Sequence, residues 1–321
     1  MVRIVIAGTG AFALILAQQI NQTANPLLVL SCRENPEFQE ACGGCDLTVI
    51  DYRNRQALQY ALRGSDIIIS TISGPEQINL IDAARSVRGM RVFVPSEFEG
   101  ALANRPDPDP VDRGYVQSAL GVVRDFATRS PPQIRYTVFS CGLFMERFAP
   151  GGLQSYGIGA GSRVQTPDDY LVNVGEARAV ILPTTPGGAQ ARLSLTSVYD
   201  VAQFITAAIE LGTRDWPTEF RMRGETMTVQ QLVDACSEVR GVPFNITVYD
   251  HETAEAEAQY CQETQDWDRW HFLQKMLQTA NERYHVRQPN LNNATQVQPT
   301  TFRTWLQNMW GLGAANPFWQ G

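Results

Sequence analysis

The chain has 321 residues, of which 44% are hydrophobic and 18% charged, and its formal net charge is −7. This composition predicts a soluble globular protein that is large enough for two lobes. The acidic balance argues against binding of a nucleic-acid backbone, which relies on lysine and arginine. No apolar run reaches the roughly 18 to 20 residues of a membrane-spanning helix.

The first 20 residues, MVRIVIAGTGAFALILAQQI, suit either a secretory leader or the start of a nucleotide-binding domain. A leader needs an unbroken apolar centre, and Gly8-Thr9-Gly10 breaks this one. We therefore predict a buried strand over 2–7, a G-x-G-x-x-A turn, and a helix over 11–20. In such a turn the backbone passes close to a diphosphate, which the helix N-terminus attracts with its free N–H groups and its dipole.

The residues after the second predicted strand, 26–32, bear on the choice of cofactor. A protein that binds NAD usually has Asp or Glu there for the ribose 2′-hydroxyl, whereas this chain has Ser31-Cys32-Arg33. An arginine at this place suits a 2′-phosphate and favours NADP(H). The alternative is an arginine that simply faces solvent.

Strands and helices alternate through the rest of the first half. Further strands are predicted at 47–51, 66–72, 91–95 and 135–139, and helices at 55–63, 77–86 and 113–127. This alternation predicts an α/β Rossmann fold, a doubly wound parallel sheet that binds its ligand at the carboxyl ends of the strands.

The rhythm changes after Pro150. The predicted strands there are 170–174, 193–195, 220–222 and an edge strand at 244–249, and the predicted helices are 198–211, 229–240, 253–284 and 302–310. We predict a dinucleotide-binding domain over 1–150, to which 190–240 returns, and a smaller discontinuous substrate-binding lobe made of 151–189 and 241–321.

Cysteine and lysine usage adds two expectations. Cys42 and Cys45 form a CGGC pair in a polar loop, which we interpret as loop thiols, with metal or redox use as the alternative; no four-ligand zinc set is present, and no metal site is predicted. Scattered unpaired cysteines suit a reducing cytoplasm. Lys275 is the only lysine, so almost any mechanism that needs one must use it, although we interpret it as a solvated surface residue.

Several segments read together resemble the isoflavone reductase-like and NmrA-like proteins, which are atypical short-chain dehydrogenases. Over residues 1–150 these are the glycine turn, Arg33, GSDIIISTISG, VFVPSEFEG and RYTVFSCGLF. LSLTSVYDVAQFITAAI and RMRGETMTVQQLVDA match more loosely, and FRTWLQNMWG resembles the closing helix of the fungal members. The resemblance implies an NADP(H)-binding Rossmann domain, a small substrate lobe, and reduction of hydrophobic secondary metabolites in biosynthesis.

The resemblance also assigns the cofactor contacts by position. The implied residues are Gly8, Thr9, Gly10, Ala11, Phe12 and Ala13 at the diphosphate, Arg33 at the 2′-phosphate, Thr71, Ile72 and Ser73 at the adenosine, Pro95, Ser96, Glu97 and Phe98 at the ribose and nicotinamide, and Cys141, Gly142, Leu143 and Phe144 over the nicotinamide. Candidate substrate-binding residues are Tyr156, Tyr170, Trp267, Trp270 and His271, although Trp267 and Trp270 also fit an apolar stripe that packs in the core.

One departure from the family affects catalysis. Reductases of this family have a lysine on the helix after the PSEF segment, and its place here falls at or near Leu120, which can neither donate a proton nor bind a ribose hydroxyl. No Tyr-x-x-x-Lys pair replaces it, since Ala119 follows Tyr115 at that spacing. We take Tyr115 as the first candidate for the proton donor. Glu97 is a second, although it more simply fixes backbone N–H groups; Tyr156, Tyr170 or a bound water are further alternatives.

Three functions fit the sequence. The first is an NADPH-dependent reductase of a hydrophobic secondary metabolite with an unusual proton donor. The second is a redox-neutral isomerase, cyclase or dehydratase on the same scaffold, and the third is a regulator that senses the dinucleotide without catalysis. In each case we expect a monomer or homodimer that binds a small molecule and neither nucleic acid nor a membrane.

Overall fold

The fold is built on a parallel sheet, seen in a computed structural model that describes residues 1–111, 118–128, 135–159 and 166–311. Five strands pair in the order β3-β2-β1-β4-β5. Their bounds are β1 Ile4–Ala7, β2 Leu27–Ser31, β3 Asp46–Val49, β4 Ile67–Ser70 and β5 Val92–Val94. The apolar runs of β1 and β4 are buried throughout, as in a parallel sheet covered on both faces. The predicted α/β fold with a doubly wound parallel sheet is confirmed.

Helices cover the two faces of this sheet. They are α1 Ala11–Asn21, α2 Pro36–Ala41, α3 Arg55–Ala61, α4 Pro75–Ala84 and α5 Ala119–Thr128. Strand residues alternate between the faces: Ile4 and Ile6 pack with α1 in one core, whereas Val5 and Ala7 pack with α3, α4 and α5 in the other. The sheet therefore has one core on each side.

The remaining elements extend the sheet and add a second lobe. The strands are β6 Val138–Ser140, β7 Leu143–Phe144, β8 Val172–Asn173, β9 Arg178–Ile181, β10 Arg192–Thr196, β11 Glu219–Arg221, β12 Glu225–Thr228 and β13 Asn245–Val248. The helices are α6 Val198–Glu210, α7 Val229–Arg240, α8 His251–Thr264, α9 Trp267–Ala280, α10 Asn290–Ala294 and α11 Phe302–Trp310. A bridge between Phe93 and Tyr136 continues the main sheet toward β6, which pairs with β11.

The cores show how the two halves of the chain are interleaved. Helix α6 packs against α1 in the first core, whereas α7, α9 and α11 share a third core with β10. Residues 198–222 thus return to the sheet, and the helix that follows them packs with the second lobe. The domain division given above stays a prediction. No helix in the described ranges has both the length and the apolar character to cross a membrane.

The prediction of one helix over 253–284 was wrong. The chain leaves α8 at Gln265, which has a left-handed φ of 60°, and starts α9 with Asp266 as its N-cap. The Asp266 carboxylate accepts a hydrogen bond from the Arg269 N–H at 3.2 Å, which stabilises a new helix start. The elements α2, α10, β7, β9 and β12 were not predicted.

Two residue-level interpretations are also corrected. Cys42 and Cys45 form a disulfide and are buried between α2 and β3, so they are not loop thiols; this removes part of the argument for a reducing compartment. Lys275 is only 8% exposed and is not a solvated surface residue. It lines a cavity together with Tyr170 and His271.

The contact between α1 and α6 gives a test of the first core. Leu16 is fully buried there, so Leu16→Ala should lower the free energy of unfolding by about 2–5 kcal/mol, because it removes apolar contacts and leaves a cavity. Urea denaturation measures this loss. The matched control is Leu211→Ala, since Leu211 is 57% exposed after α6, and it should change the stability by less than about 0.5 kcal/mol. Equal losses in both variants would contradict this packing.

Candidate active site

The glycine turn places the start of α1 at the carboxyl edge of the sheet. Gly8 has a φ of +113°, and a Cβ there would lie 2.5 Å from the Thr71 hydroxyl oxygen and 2.9 Å from an Ile72 methyl carbon. Only glycine therefore fits between β1 and the residues after β4. The Gly8 N–H donates to the Leu30 carbonyl at 2.9 Å, which ties the turn to β2.

The N-terminus of α1 is suited to an anion. Gly10 is the N-cap and has no side chain to cap the helix, and the first N–H bonded inside the helix is that of Leu14, to the Gly10 carbonyl at 3.0 Å. The N–H groups of residues 11–13 precede it and have no intrahelical acceptor. A Cβ built on Gly10 would meet no atom within 4 Å. The turn thus offers free donors and space, which a diphosphate would use.

Arg33 lies at the end of the neighbouring strand. The Ser31 hydroxyl donates to the Arg33 carbonyl at 2.6 Å, and the Arg33 N–H donates back to it at 3.3 Å, so the turn after β2 is fixed. The guanidinium is exposed and makes no hydrogen bond or ion pair within the described part of the chain. Thr71 lies on the other side of β1, where its hydroxyl donates to the Ala7 carbonyl at 2.8 Å.

Three aromatic rings from separate predicted cofactor segments meet beside α1. The Phe12 ring centroid lies 4.8 Å from that of Phe98 and 5.8 Å from that of Phe144. A Cβ on Gly157 would approach Ala11 to 3.6 Å, so the 3-10 helix Gly152–Tyr156 ends next to the start of α1. These contacts bring the glycine turn, the PSEF segment and the CGLF segment to one place, and give it an apolar wall.

A network of charges lies on the other side of the PSEF segment. Arg105 contacts Glu97 at 2.6 Å and Glu99 at 3.1 Å, and Arg283 contacts Glu99 at 2.6 Å and Asp109 at 2.7 Å. Burial alone would lower the pKa of Arg105. The neighbouring carboxylates of Glu99 and Glu97 raise it by more than burial lowers it, so the pKa lies above its usual value. Arg105 therefore stays charged and holds the Glu97 side chain through this short contact.

Leu120 faces a cavity of about 280 Å³ that this network lines. The cavity wall includes Ser96, Glu97 and Arg283 as well as Leu120. Leu120, to which the resemblance assigns the place of the family lysine, lines this cavity with an apolar side chain that is 8% exposed. That it stands in the place of the lysine stays a prediction. The other catalytic candidate, Tyr115, lies outside the described residues.

Sequence reasoning missed five residues at this site, two of which are the acidic partners of Arg283, Glu99 and Asp109. Arg105 and Arg283 belong to the charge network, and the Gln77 side-chain oxygen accepts the Ser96 N–H at 2.7 Å. Gln77 lies on the buried face of α4, and a polar residue on such a face is the one available signal. The two arginines gave none: the partners of Arg283 are distant in sequence, and those of Arg105, although near, lie in a loop without a regular spacing.

The CGLF segment is held mainly by its backbone. The N–H groups of Cys141 and Gly142 donate to the Glu99 carbonyl at 2.8 and 3.1 Å, and the Thr196 hydroxyl donates to the Cys141 carbonyl at 2.6 Å. Burial raises the pKa of the Cys141 thiol, which keeps it protonated and unsuited to nucleophilic attack. The segment therefore shapes the site rather than reacting in it.

The candidate substrate residues do not all meet. Tyr170 and His271 line a second cavity of about 660 Å³ together with Lys275 and Gln154. Trp270 lines a groove between α8 and α9, and Trp267 is 44% exposed.

The two tyrosines of this set are already bonded. Tyr156 donates its hydroxyl to the Met309 sulfur at 3.2 Å, and the Tyr170 hydroxyl shares a hydrogen bond of 2.8 Å with that of Thr279. Substrate contact by any of the five residues stays a prediction. Among the described residues, no group of three or more His, Cys, Asp or Glu side chains is arranged to hold a metal.

The chain was compared with known proteins, and no protein-family model matches it. It is 25% identical over 252 residues to "Oxidoreductase BOA1" of Botryotinia fuckeliana (strain B05.10), and the matched region covers 75% of this chain and 77% of that protein. It is 29% identical over 158 residues to "Isoflavone reductase homolog A622" of Nicotiana tabacum, which covers 46% of this chain and 50% of that protein. The match thus spans only about half the length of this second relative.

Two solved structures show the same fold over nearly the whole chain. The complex of leucoanthocyanidin reductase with NADPH from Vitis vinifera has a TM-score of 0.66 at 16% identity, and covers 96% of this chain and 99% of that one. The Escherichia coli quinone oxidoreductase QOR2 in complex with NADPH has a TM-score of 0.66 at 15% identity, and covers 96% of this chain and all of that one. At these identities the likeness supports the fold alone.

A buried carboxyl just after the CGLF segment gives a test of the site's supporting structure. The Glu146 carboxyl group accepts the Ser197 hydroxyl at 2.7 Å and the Val198 N–H at 3.0 Å, at the start of α6. Burial raises the pKa of Glu146 from 4.5 to about 7. Its contribution to stability is therefore complete below pH 4.5 and is lost as the pH rises through 7.

The natural protein should lose stability as the pH rises from 4.5 to 8, and Glu146→Gln should not, because glutamine does not ionise. The free energy of unfolding of the variant minus that of the natural protein should therefore increase by roughly 1–3 kcal/mol over this range. Urea denaturation at the two pH values measures the difference. Glu255→Gln, at an exposed glutamate, is the control. The difference between its free energy of unfolding and that of the natural protein should be nearly the same at the two pH values. A Glu146→Gln difference that stays constant with pH would rule out a titrating carboxyl at this position.

Proposed function

We propose that this chain, a relative of the isoflavone reductase-like oxidoreductases as its sequence predicted, binds NADP(H) and reduces a small hydrophobic secondary metabolite. The observation that carries the proposal is the uncapped N-terminus of α1 behind Gly8 and Gly10, with the exposed Arg33 at the next strand end. We also propose a cytoplasmic monomer or homodimer that takes a small-molecule substrate.

The residues present fit the dinucleotide. The N–H groups of residues 11–13 would hold its diphosphate, Arg33 its 2′-phosphate, Thr71–Ser73 its adenosine, and Pro95–Phe98 its ribose and nicotinamide. When bound, NADPH supplies a hydride. The rings of Phe12, Phe98 and Phe144 exclude water on one side of the crevice, and offer the substrate an apolar surface.

Glu97 acts as a positioning residue in this proposal. Its contact with Arg105 fixes the PSEF segment at residue 97, and the hydrogen bond that the Ser96 N–H donates to the Gln77 side-chain oxygen fixes it at residue 96. A carboxylate that is ion-paired at 2.6 Å has no proton to donate at neutral pH. Tyr115, five residues before Leu120 in sequence, remains the proposed proton donor.

A redox-neutral isomerase, cyclase or dehydratase is the second candidate. The apolar side chain of Leu120 at the candidate site favours it, because a reductase of this family would be expected to keep a proton donor there. Both candidates need the same cofactor crevice, and they differ in whether NADPH is consumed.

Reductase activity is tested by NADPH oxidation, followed as the loss of absorbance at 340 nm. The probes are an isoflavone and a phenylcoumaran, suggested by the names of this chain's relatives, with a quinone as a third class. We expect NADPH to be oxidised with at least one probe, and NADH at less than about a tenth of that rate. A product that forms while NADPH stays constant would support the redox-neutral alternative instead.

The two catalytic assignments are separated by conservative variants in the same assay. Glu97→Gln should raise the KM for NADPH, lower kcat by less than about tenfold and leave the shape of the pH profile unchanged, because it weakens the pairing with Arg105 without removing a proton donor. Tyr115→Phe should lower kcat by about 10²-fold or more, as expected for loss of a general acid. Full turnover in Tyr115→Phe would remove it as the donor, and loss of one limb of the pH profile in Glu97→Gln would make Glu97 the acid or base.

A further inference from the structure

A cavity of about 340 Å³ lies where β2 and β3 end, beside the turn that carries Arg33. Its lining is formed by Cys32, Val49, Ile50, Asp51, Tyr52, Arg53 and Glu76. None of these residues was among the predicted cofactor contacts. The lining includes one arginine, Arg53, in the turn that follows β3, as Arg33 lies in the turn that follows the neighbouring strand β2.

Strand register brings the two arginines to the same edge of the sheet. Ser31 of β2 is paired with Val49 of β3, and the Ile50 N–H donates to the Ser31 carbonyl at 2.7 Å, one residue past the strand. Both chains then leave the sheet in turns that are fixed by hydrogen bonds. In the β3 turn the Arg53 N–H donates to the Asp51 carboxylate at 2.9 Å.

The cavity is joined to the diphosphate turn through one carbonyl group. Leu30 accepts the Gly8 N–H at 2.9 Å and also the Tyr52 hydroxyl at 3.0 Å. Tyr52 is buried, so it anchors the segment that carries Arg53. A dinucleotide with its diphosphate at Gly8 would therefore reach this cavity with its adenosine half.

The charges around the cavity distinguish Arg53 from its neighbour in sequence. Arg33 and Arg53 are exposed, and neither guanidinium makes a hydrogen bond or ion pair with any residue that the structure describes. Arg55, by contrast, contacts Asp82 at 3.1 Å. Asp51 and Glu76 also line the cavity, and they would repel a phosphate held by Arg33 alone. A second guanidinium offsets that repulsion.

We propose that Arg53 binds the 2′-phosphate of NADP(H) together with Arg33, at the mouth of the cavity between Cys32 and Tyr52. This rests on the proposed function, since it assumes that the dinucleotide binds at the α1 N-terminus. Two planar guanidinium groups can each present paired N–H donors to phosphate oxygens. The arrangement would make Arg53 a determinant of the preference for NADP(H) over NAD(H).

The test is calorimetric titration of the full chain with adenosine 2′,5′-bisphosphate, 5′-AMP, NADP⁺ and NAD⁺. We expect Arg53→Met to weaken binding of the two 2′-phosphorylated ligands by about tenfold or more, as for loss of a hydrogen bond to a charged group. Binding of 5′-AMP and NAD⁺ should change by less than about twofold. The double variant of Arg53→Met with Arg33→Met should bind NADP⁺ no more tightly than NAD⁺, since only the carboxylates of Asp51 and Glu76 then face the phosphate.

Arg55→Met is the matched control, because it removes a nearby arginine that already has a partner, and it should leave all four affinities unchanged. Equal weakening of all four ligands by Arg53→Met would mean that Arg53 stacks on the adenine, and would overturn the proposal. So would unchanged affinities in Arg53→Met. If the natural protein binds none of the four ligands, the proposed function itself fails, which is a different result from a change confined to the variant.

Discussion

The close approach of β1 to the residues after β4 at Gly8 is the constraint on which the site depends. The space there admits no Cβ, because Thr71 and Ile72 occupy it. The same contact lets the Thr71 hydroxyl bond to the Ala7 carbonyl, and lets Gly8 bond back to β2. The ends of β1, β2 and β4 are therefore tied together at this turn, and the direction of α1 follows from that junction.

The charge network of Arg105 and Arg283 holds the PSEF segment against the part of the chain that follows α9. Arg283 follows α9 and reaches Glu99 and Asp109, which lie more than 170 residues earlier in the chain. Its own carbonyl comes so close to Gly100 that a Cβ there would lie 2.1 Å away. A buried ion pair adds little net stability, because desolvation offsets the attraction, so its main effect is geometric. It fixes the PSEF segment relative to the second lobe, and with it one wall of the crevice.

The sequence was sufficient where the signal is local. Helix α7 begins at Val229 and ends at Arg240 as predicted, since Thr228 and Gln231 form a capping box and Gly241 ends the helix. The break at Gln265 was missed because glutamine rarely adopts a left-handed conformation and no glycine marks the site. Lys275 was misplaced because an isolated lysine in a polar helix gives no indication of burial. The pairing of Glu97 with Arg105, and of Glu99 with Arg283, depends on the folded chain and had no sequence pattern.

The residues on the cofactor side of the site suit a reductase more completely than the residues on the catalytic side do. The cofactor side is made of backbone donors and exposed arginines, which are suited to phosphate groups. On the catalytic side, Leu120 is apolar, Glu97 is held by Arg105, and burial keeps the Cys141 thiol protonated. None of these three groups has both a proton to give and access to the crevice. The supply of a proton is therefore the physical question that separates a reductase from a redox-neutral enzyme on this scaffold, and binding of the dinucleotide alone does not decide it.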